Sequence, residues 1–335
     1  MGSAPLAARL RAPWNDDRAE RVLGAVASLV LLMIGGMVVF VFAKAWPSFS
    51  HNGLHWFGPP AHGGSVDDQL AGIFNSPADP RRYEYTIGAW PLIWGTLLTT
   101  AGAVALGLTL ALLSSIFIVE FAPPPVRRVM QPVIRLLAAV PSVVYGLIGI
   151  LVLVPFVGND LISQQRKESV VYVVQLSGSS LLVAVAILTV MIVPIMVAIM
   201  SDALRSVPRA WTEGSAALGV NRWRTVWTIS VRAARPALIA ATVLATARAL
   251  GEAIMLSMVS GSTGFAPNPL DGLTFFLEPT RPLAATIVDN AEGLSVKPFG
   301  QTIYAFAAVL LVSTFLLSLA GWAAKQPLKR YGIAG

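Results

Sequence analysis

Residues 87–119 read IGAWPLIWGTLLTTAGAVALGLTLALLSSIFIV, an unbroken run without one charged side chain. About 20 predominantly apolar residues suffice for a helix to cross the hydrocarbon core of a bilayer. Four more stretches, 22–43, 136–159, 169–201 and 298–324, are equally free of charge, and a fifth, 236–261, carries only Arg248 and Glu252. The composition agrees, since 55% of the 335 residues are hydrophobic and 12% charged, about half the charge of an average soluble domain. Intrinsic disorder and a soluble enzyme are poor fits. The pattern predicts an all-α polytopic membrane protein with six transmembrane helices. The chain has no cysteine, which rules out disulfides, thiol nucleophiles and cysteine-bound metals.

A formal charge of +7 raises the question of nucleic acid, and the positions of the charges answer it. Arg9, Arg11, Arg18 and Arg21 precede the first span. Arg127, Arg128 and Arg135 join the second to the third, and Arg205, Arg209, Arg222, Arg224, Arg232 and Arg235 join the fourth to the fifth. With Lys325, Lys329 and Arg330 at the C-terminus, these make 16 of the 24 basic residues on one side. Seven lie opposite and Arg248 lies within the membrane. Positive-inside asymmetry places both termini in the cytoplasm, and the basic balance then reflects topology, with membrane lipid and not nucleic acid as the partner. The first uncharged stretch exceeds the 7–15 residues of a signal-peptide core, so a retained anchor is expected. The expected organisation is a basic tail at 1–21, an anchor helix at 22–45, an external loop at 46–86, and a core at 87–325 with spans at about 87–119, 136–159, 170–201, 236–261 and 298–324. A cytoplasmic C-terminus follows at 326–335. Trp46, Trp90, Trp94 and Trp322 fall near span ends, where amphipathic rings sit at the interface.

The first external loop is turn-rich with little periodicity. His51 and His55 are spaced like ligands on one helical face, but Gly53 intervenes and no glutamate follows His51, so the metalloprotease helix motif is absent and no metal site is expected. The second loop carries Asp271, Glu278, Asp289 and Glu292 among prolines. The basic connection between the fourth and fifth spans reads differently. Ser206 can cap a helix with Pro208 in its first turn, residues 209–218 continue it, and Gly219 suits its end. A second helix can start near Asn221 and run through Trp223 and Trp227. A short helix across the membrane surface either transmits a push between spans or simply anchors there through Trp211 and Trp223.

At this point the sequence resembles a known family. Glu213-Gly-Ser-Ala-Ala-Leu-Gly219, then nine intervening residues and Ile229, is similar to the cytoplasmic EAA loop of ABC importer permeases. It keeps the glutamate, glycine and isoleucine but has Gly214-Ser215 for Ala-Ala and Val231-Arg232 for Leu-Pro. Leu137-Ala-Ala-Val-Pro-Ser-Val-Val-Tyr-Gly146 and Arg248-Ala-Leu-Gly-Glu-Ala-Ile254 resemble signature segments of phosphate-specific importer permeases, closer to the PstC type than to the PstA type. The resemblance covers roughly residues 86–325. It implies a type I ABC importer permease of MetI-like architecture that translocates inorganic phosphate by alternating access. The implied partners are a second permease of the PstA type, an ATPase dimer of the PstB type that binds ATP and Mg, and an external phosphate-binding protein of the PstS type. The chain contains no Gly-Lys dipeptide, hence no Walker A loop, and a non-catalytic subunit without cofactor is expected. Within the family, the helix at about 207–219, with Glu213, Ala216, Ala217 and Gly219, would couple to the ATPase.

Arg248 lies twelve residues beyond Pro236, about 18 Å along a helix and so near mid-bilayer. On a continuous helix Glu252 would share its face. A charge at that depth costs roughly 2.5–3.5 kcal/mol and generally faces a protein interior or an aqueous cavity. The pair is either a structural lock or a substrate way-station. Arginine presents a planar fork suited to phosphate oxygens, and Glu252 can reclaim it when the anion leaves. Ser142 and Tyr145 are further pathway candidates, and Thr246 and Ser257 weaker ones. Sulfate or another oxyanion is the alternative substrate. An autonomous channel or secondary transporter using Arg248 and Glu252 is the alternative class. An intramembrane enzyme is disfavoured because the three histidines all lie between residues 51 and 62 and no catalytic constellation is apparent.

Overall fold

A computed structural model describes residues 16–60, 64–77, 79–170 and 175–326, with side chains from residue 20 onward. Most of the basic tail, Lys329, Arg330 and His62 lie outside the described residues. The principal elements are α1 (Asp16–Asn52), α2 (Val66–Phe74), α3 (Trp90–Ile116), α4 (Pro124–Ala138) and α5 (Ser142–Leu161). They continue as α6 (Leu181–Arg205), α7 (Arg209–Ala217), α8 (Arg222–Leu250), α9 (Ile254–Val259), α10 (Leu283–Asp289) and α11 (Lys297–Lys325). Among the described residues six helices are long and apolar enough to cross a membrane: α1, α3, α5, α6, α8 and α11.

Helix α6 is the axis of the fold and α3 packs along it. The reason is a file of small residues on α3: Ala103, Gly107, Ala111 and Ser115, all buried and four apart. Small residues let backbones approach where lipid gives no hydrophobic drive between helices. A Cβ on Gly107 would lie 3.1 Å from Ile192 Cδ1. Two hydroxyls also reach across, Thr189 to the Ala103 carbonyl at 3.4 Å and Ser115 to the Val197 carbonyl at 3.3 Å. Helix α1 is peripheral, packing on α11 near its C-terminal end, with Phe40 edge-on to Tyr304 at 5.6 Å. Its remaining surface, including Leu23, Leu31 and Leu32, is exposed, as suits a lipid-facing helix.

With six spanning helices the connections alternate between two ends, one of which carries most of the basic residues. At the basic end, Arg127 on α4 donates to the carbonyls of Ile118 and Val119 at 2.9 and 2.6 Å. It thereby satisfies acceptors left free where α3 ends in a π-helical turn (Phe117–Phe121). At the other end a second core forms around Trp56, Val66, Leu70, Ile73, Leu92, Phe299 and Phe306.

Several helix bounds differ from the apolar stretches. Residues 136–159 are not one helix, because Pro141 interrupts them: α4 stops at Ala138 and α5 starts at Ser142. The Tyr145 hydroxyl bonds the Leu137 carbonyl at 2.8 Å and holds the bend. Helix α6 starts at Leu181, well inside its apolar stretch, since Gly178 has φ +100° and the Ser180 side chain accepts from the Val183 amide. A Cβ on Gly178 would come within 2.2 Å of the Val154 carbonyl, so this turn packs backbone to backbone on α5. The long loop after α1 contains α2, which opens with a reciprocal capping box between Ser65 and Asp68.

Candidate functional site

The stretch 236–261 is likewise not one helix. Helix α8 starts far upstream at Arg222 and ends at Leu250; Gly251 to Ala253 are irregular, and α9 begins at Ile254. Gly251 takes the cap position, its amide bonding the Ala247 carbonyl at 3.3 Å. This break corrects the expected shared face of Arg248 and Glu252. Arg248 sits exposed in the last turn of α8, where a helix C-terminus favours a cation. Glu252, beyond the break, is buried at 9% exposure and accepts from the Met255 amide at 3.4 Å, at the start of α9. Arg205 pairs with Asp202, and Arg281 with Asp67 and Asp289, whereas Arg248 and Glu252 do not pair with each other.

The two signature-like segments, far apart in sequence, meet at this break. Helix α9 lies against the first turns of α5, and the contact depends on glycine. A Cβ on Gly146 would lie 2.8 Å from Met258 Sδ, and one on Gly149 only 2.5 Å from Val259 Cγ1. Tyr145 is buried with its hydroxyl spent on Leu137. Ser142 is half-buried at the head of α5. Thr246 bonds its own helix at Thr242 (2.8 Å), and Ser257 bonds Asp289. Irregular backbone at membrane depth is tolerated where it is enclosed by protein or lines a water-filled cavity. Ionisable residues at that depth generally face a protein interior or a water-filled cavity.

The basic-end connection folds as a helical hairpin. Helix α7 spans Arg209–Ala217, Gly219 turns the chain at φ +76°, and the Asn221 side chain accepts from the Arg224 amide at 2.8 Å to start α8. Ser206 does not cap α7; its hydroxyl turns back to the Ala203 carbonyl at 2.7 Å. A buried bond of 2.8 Å between the hydroxyls of Ser215 and Thr225 fastens α7 to α8. Ser215 stands where the family pattern has alanine, so this departure has a structural use. Glu213, Ala216, Ala217, Leu218 and Gly219 are exposed, as are Trp211 and Trp223. Glu120 accepts from Ser230 at 3.3 Å, and Asp202 pairs with Arg205 at 3.7 Å.

At the opposite end, sequence reading missed a polar cluster. Arg281 pairs with Asp67 on α2 and lies 3.7 Å from Asp289 on α10. Asp289 also accepts from Ser257 and Ser262, and Asp67 from the Gly264 amide. The cluster ties α2, α10 and the second loop together. Beside it, burial pushes the Glu278 carboxyl above its ordinary range, partly offset by the Asn268 amide at 3.1 Å. Trp94 donates to the Pro267 carbonyl at 3.0 Å, so it fixes the second loop as well as flanking a span. His51 packs on Tyr85, ring centroids 5.4 Å apart.

Residues 103–326 match the family described as binding-protein-dependent transport system inner membrane component. A probable ABC transporter permease of Bacillus subtilis, YqgH, is 33% identical over 94% of this chain and 92% of its own. The phosphate transport system permease PstC 1 of Mycobacterium tuberculosis is 30% identical over 90% of each chain. PstC of Mesorhizobium japonicum is 26% identical over 88% of this chain and 84% of its own. Among solved structures, a chain of a bacterial alginate ABC transporter superposes with a TM-score of 0.58 at 13% identity, covering 94% of this chain and 98% of that one. The inward-facing MetNI methionine transporter gives 0.51 at 17% identity, covering 70% and 94%. These two likenesses establish the fold, that of MetI-like type I importer permeases. The chain belongs to the family of binding-protein-dependent transport system inner membrane components, as a multi-pass ABC importer permease subunit of the PstC type.

Proposed function

We propose that this subunit carries inorganic phosphate across the cytoplasmic membrane by alternating access, with its basic end and both termini in the cytoplasm. The observation that carries the reading is Arg248. It is exposed on the isolated chain at a helix break in a transmembrane segment, the condition for an anion station shared with a second permease. That permease is of the PstA type. Glu252 lies on the far side of the break and competes for the guanidinium as phosphate leaves, while Tyr145 and Ser142 shape the wall opposite. The names of the PstC relatives support phosphate as the anion. An ATPase dimer of the PstB type binds ATP and Mg and meets residues 207–219. Ala216, Ala217 and Gly219 permit close approach there, and Glu213 offers a charge to the ATPase surface. A phosphate-binding protein of the PstS type docks at the opposite end. This subunit itself catalyses nothing; hydrolysis reaches it as movement of α7.

Hydrogen phosphate can donate a hydrogen bond to a carboxylate, and sulfate, fully ionised, cannot. Glu252→Gln is therefore expected to lower the preference for phosphate over sulfate by about 10-fold, the worth of one hydrogen bond to a charged group. Uptake of labelled phosphate with excess unlabelled sulfate as competitor reads this directly. An unchanged preference in a variant present at normal abundance contradicts the donor role of the anion.

A further inference from the structure

Behind α7, the C-terminal ends of α3 and α6 and the start of α8 enclose a cavity of about 430 Å³. Four arginines, Arg127, Arg205, Arg209 and Arg222, and two glutamates, Glu120 and Glu213, line it. Six charges of both signs around one space should pair across it. Instead, none of these arginines lies within 4 Å of either glutamate. Three are held at the rim by other contacts: Arg127 by the carbonyls that end α3, Arg205 by Asp202 and Arg222 over the ring of Phe121 at 5.2 Å. Glu120 is held by Ser230. The side chains are thus kept apart, with four positive charges against two negative, and the first turn of α7 beside them has no side-chain cap. None of these residues is in the transport station at Arg248.

We propose that this cavity binds a tetrahedral oxyanion of the hydrogen phosphate class between α7 and the ends of α3 and α8. Guanidinium forks match the edges of an oxyanion. The carboxylates, which only accept when ionised, favour an anion that still carries a proton. A bound anion bridges α7 to the span ends and restrains it, so anion accumulated on this side slows transport. Only the identity of the anion rests on the phosphate reading above; the site rests on the cavity.

Equilibrium dialysis of labelled phosphate against the purified transporter complex, without nucleotide or external binding protein, tests the proposal. Labelled sulfate and the variants Arg222→Gln, Arg222→Lys and Arg248→Gln are run in parallel. With the transport station disabled by Arg248→Gln, a saturable phosphate site is expected to remain, and adding Arg222→Gln is expected to weaken that remaining site by about 10-fold, the worth of a charge-assisted hydrogen bond. Arg222→Lys, which keeps the charge and loses the fork, is expected to fall between and serves if the glutamine variant does not fold. Unchanged phosphate binding at that site in a folded Arg222 variant overturns the proposal, as does binding lost in Arg248→Gln alone. Loss of ATPase co-purification in Arg222→Gln, with phosphate binding intact, makes the cavity a docking socket and overturns it too. Equal binding of sulfate overturns the selection for a protonated anion. Uptake separates the two readings: if phosphate uptake does not depend on this chain while dialysis finds the site, the import reading fails and the cavity stands.

Discussion

Arg248→Gln is expected to lower phosphate uptake by about 10- to 100-fold, since a hydrogen bond from a charged donor contributes roughly 1.5–3 kcal/mol. It should leave the abundance of the protein in the membrane near normal. The second expectation follows from what the side chain touches. Arg248 makes no ion pair with Glu252 and is exposed on this chain, so its removal breaks no buried ion pair. A structural lock would behave in the opposite way, because stripping one partner from a buried pair costs about 3–5 kcal/mol and abundance would fall with uptake. Uptake normalised to immunoblotted protein distinguishes them. Normal uptake in Arg248→Gln contradicts the pathway role, and parallel loss of protein and uptake reassigns the arginine to structure.

Gly149→Leu is expected to abolish transport by a different route. A Cβ at 149 would lie 2.5 Å from Val259 Cγ1 and 3.3 Å from Ile187 Cγ1, and both neighbours are β-branched with stiff side chains. Overpacking of this kind costs about 1–3 kcal/mol, occasionally more. Relief of the closer contact pushes α9 away from α5, which displaces the break that carries Glu252. Gly146 faces Met258 Sδ at 2.8 Å, and methionine can yield. Damage should therefore rise from Gly146→Ala to Gly149→Ala to Gly149→Leu, measured as uptake and as protein retained in the membrane. Wild-type uptake in Gly149→Leu contradicts the close packing of the two segments.

The six spans were legible because composition alone identifies them. The helix ends were not, since each depends on local backbone chemistry within an apolar run. Pro141 and Gly251 each stop a helix that hydropathy would continue, and Gly178 with its positive φ delays the start of another. Reading Arg248 and Glu252 as neighbours on one face assumed that Gly251 was an interior residue, when glycine near the end of a run is itself a stop signal. Helix α2 was missed although its signal was present: Ser65 followed three residues later by Asp68 is a capping pattern. The Arg281–Asp67 pair joins residues 214 apart and leaves no local mark, so only the folded chain reveals it.

The most direct test of phosphate import is the initial rate of labelled phosphate uptake at limiting concentration, with excess unlabelled sulfate, in cells with and without this chain and lacking any redundant importer. The account predicts a sulfate-insensitive component that disappears when the chain is deleted and returns when it is restored. Uptake unchanged by deletion would contradict it, leaving an importer permease whose substrate is another molecule.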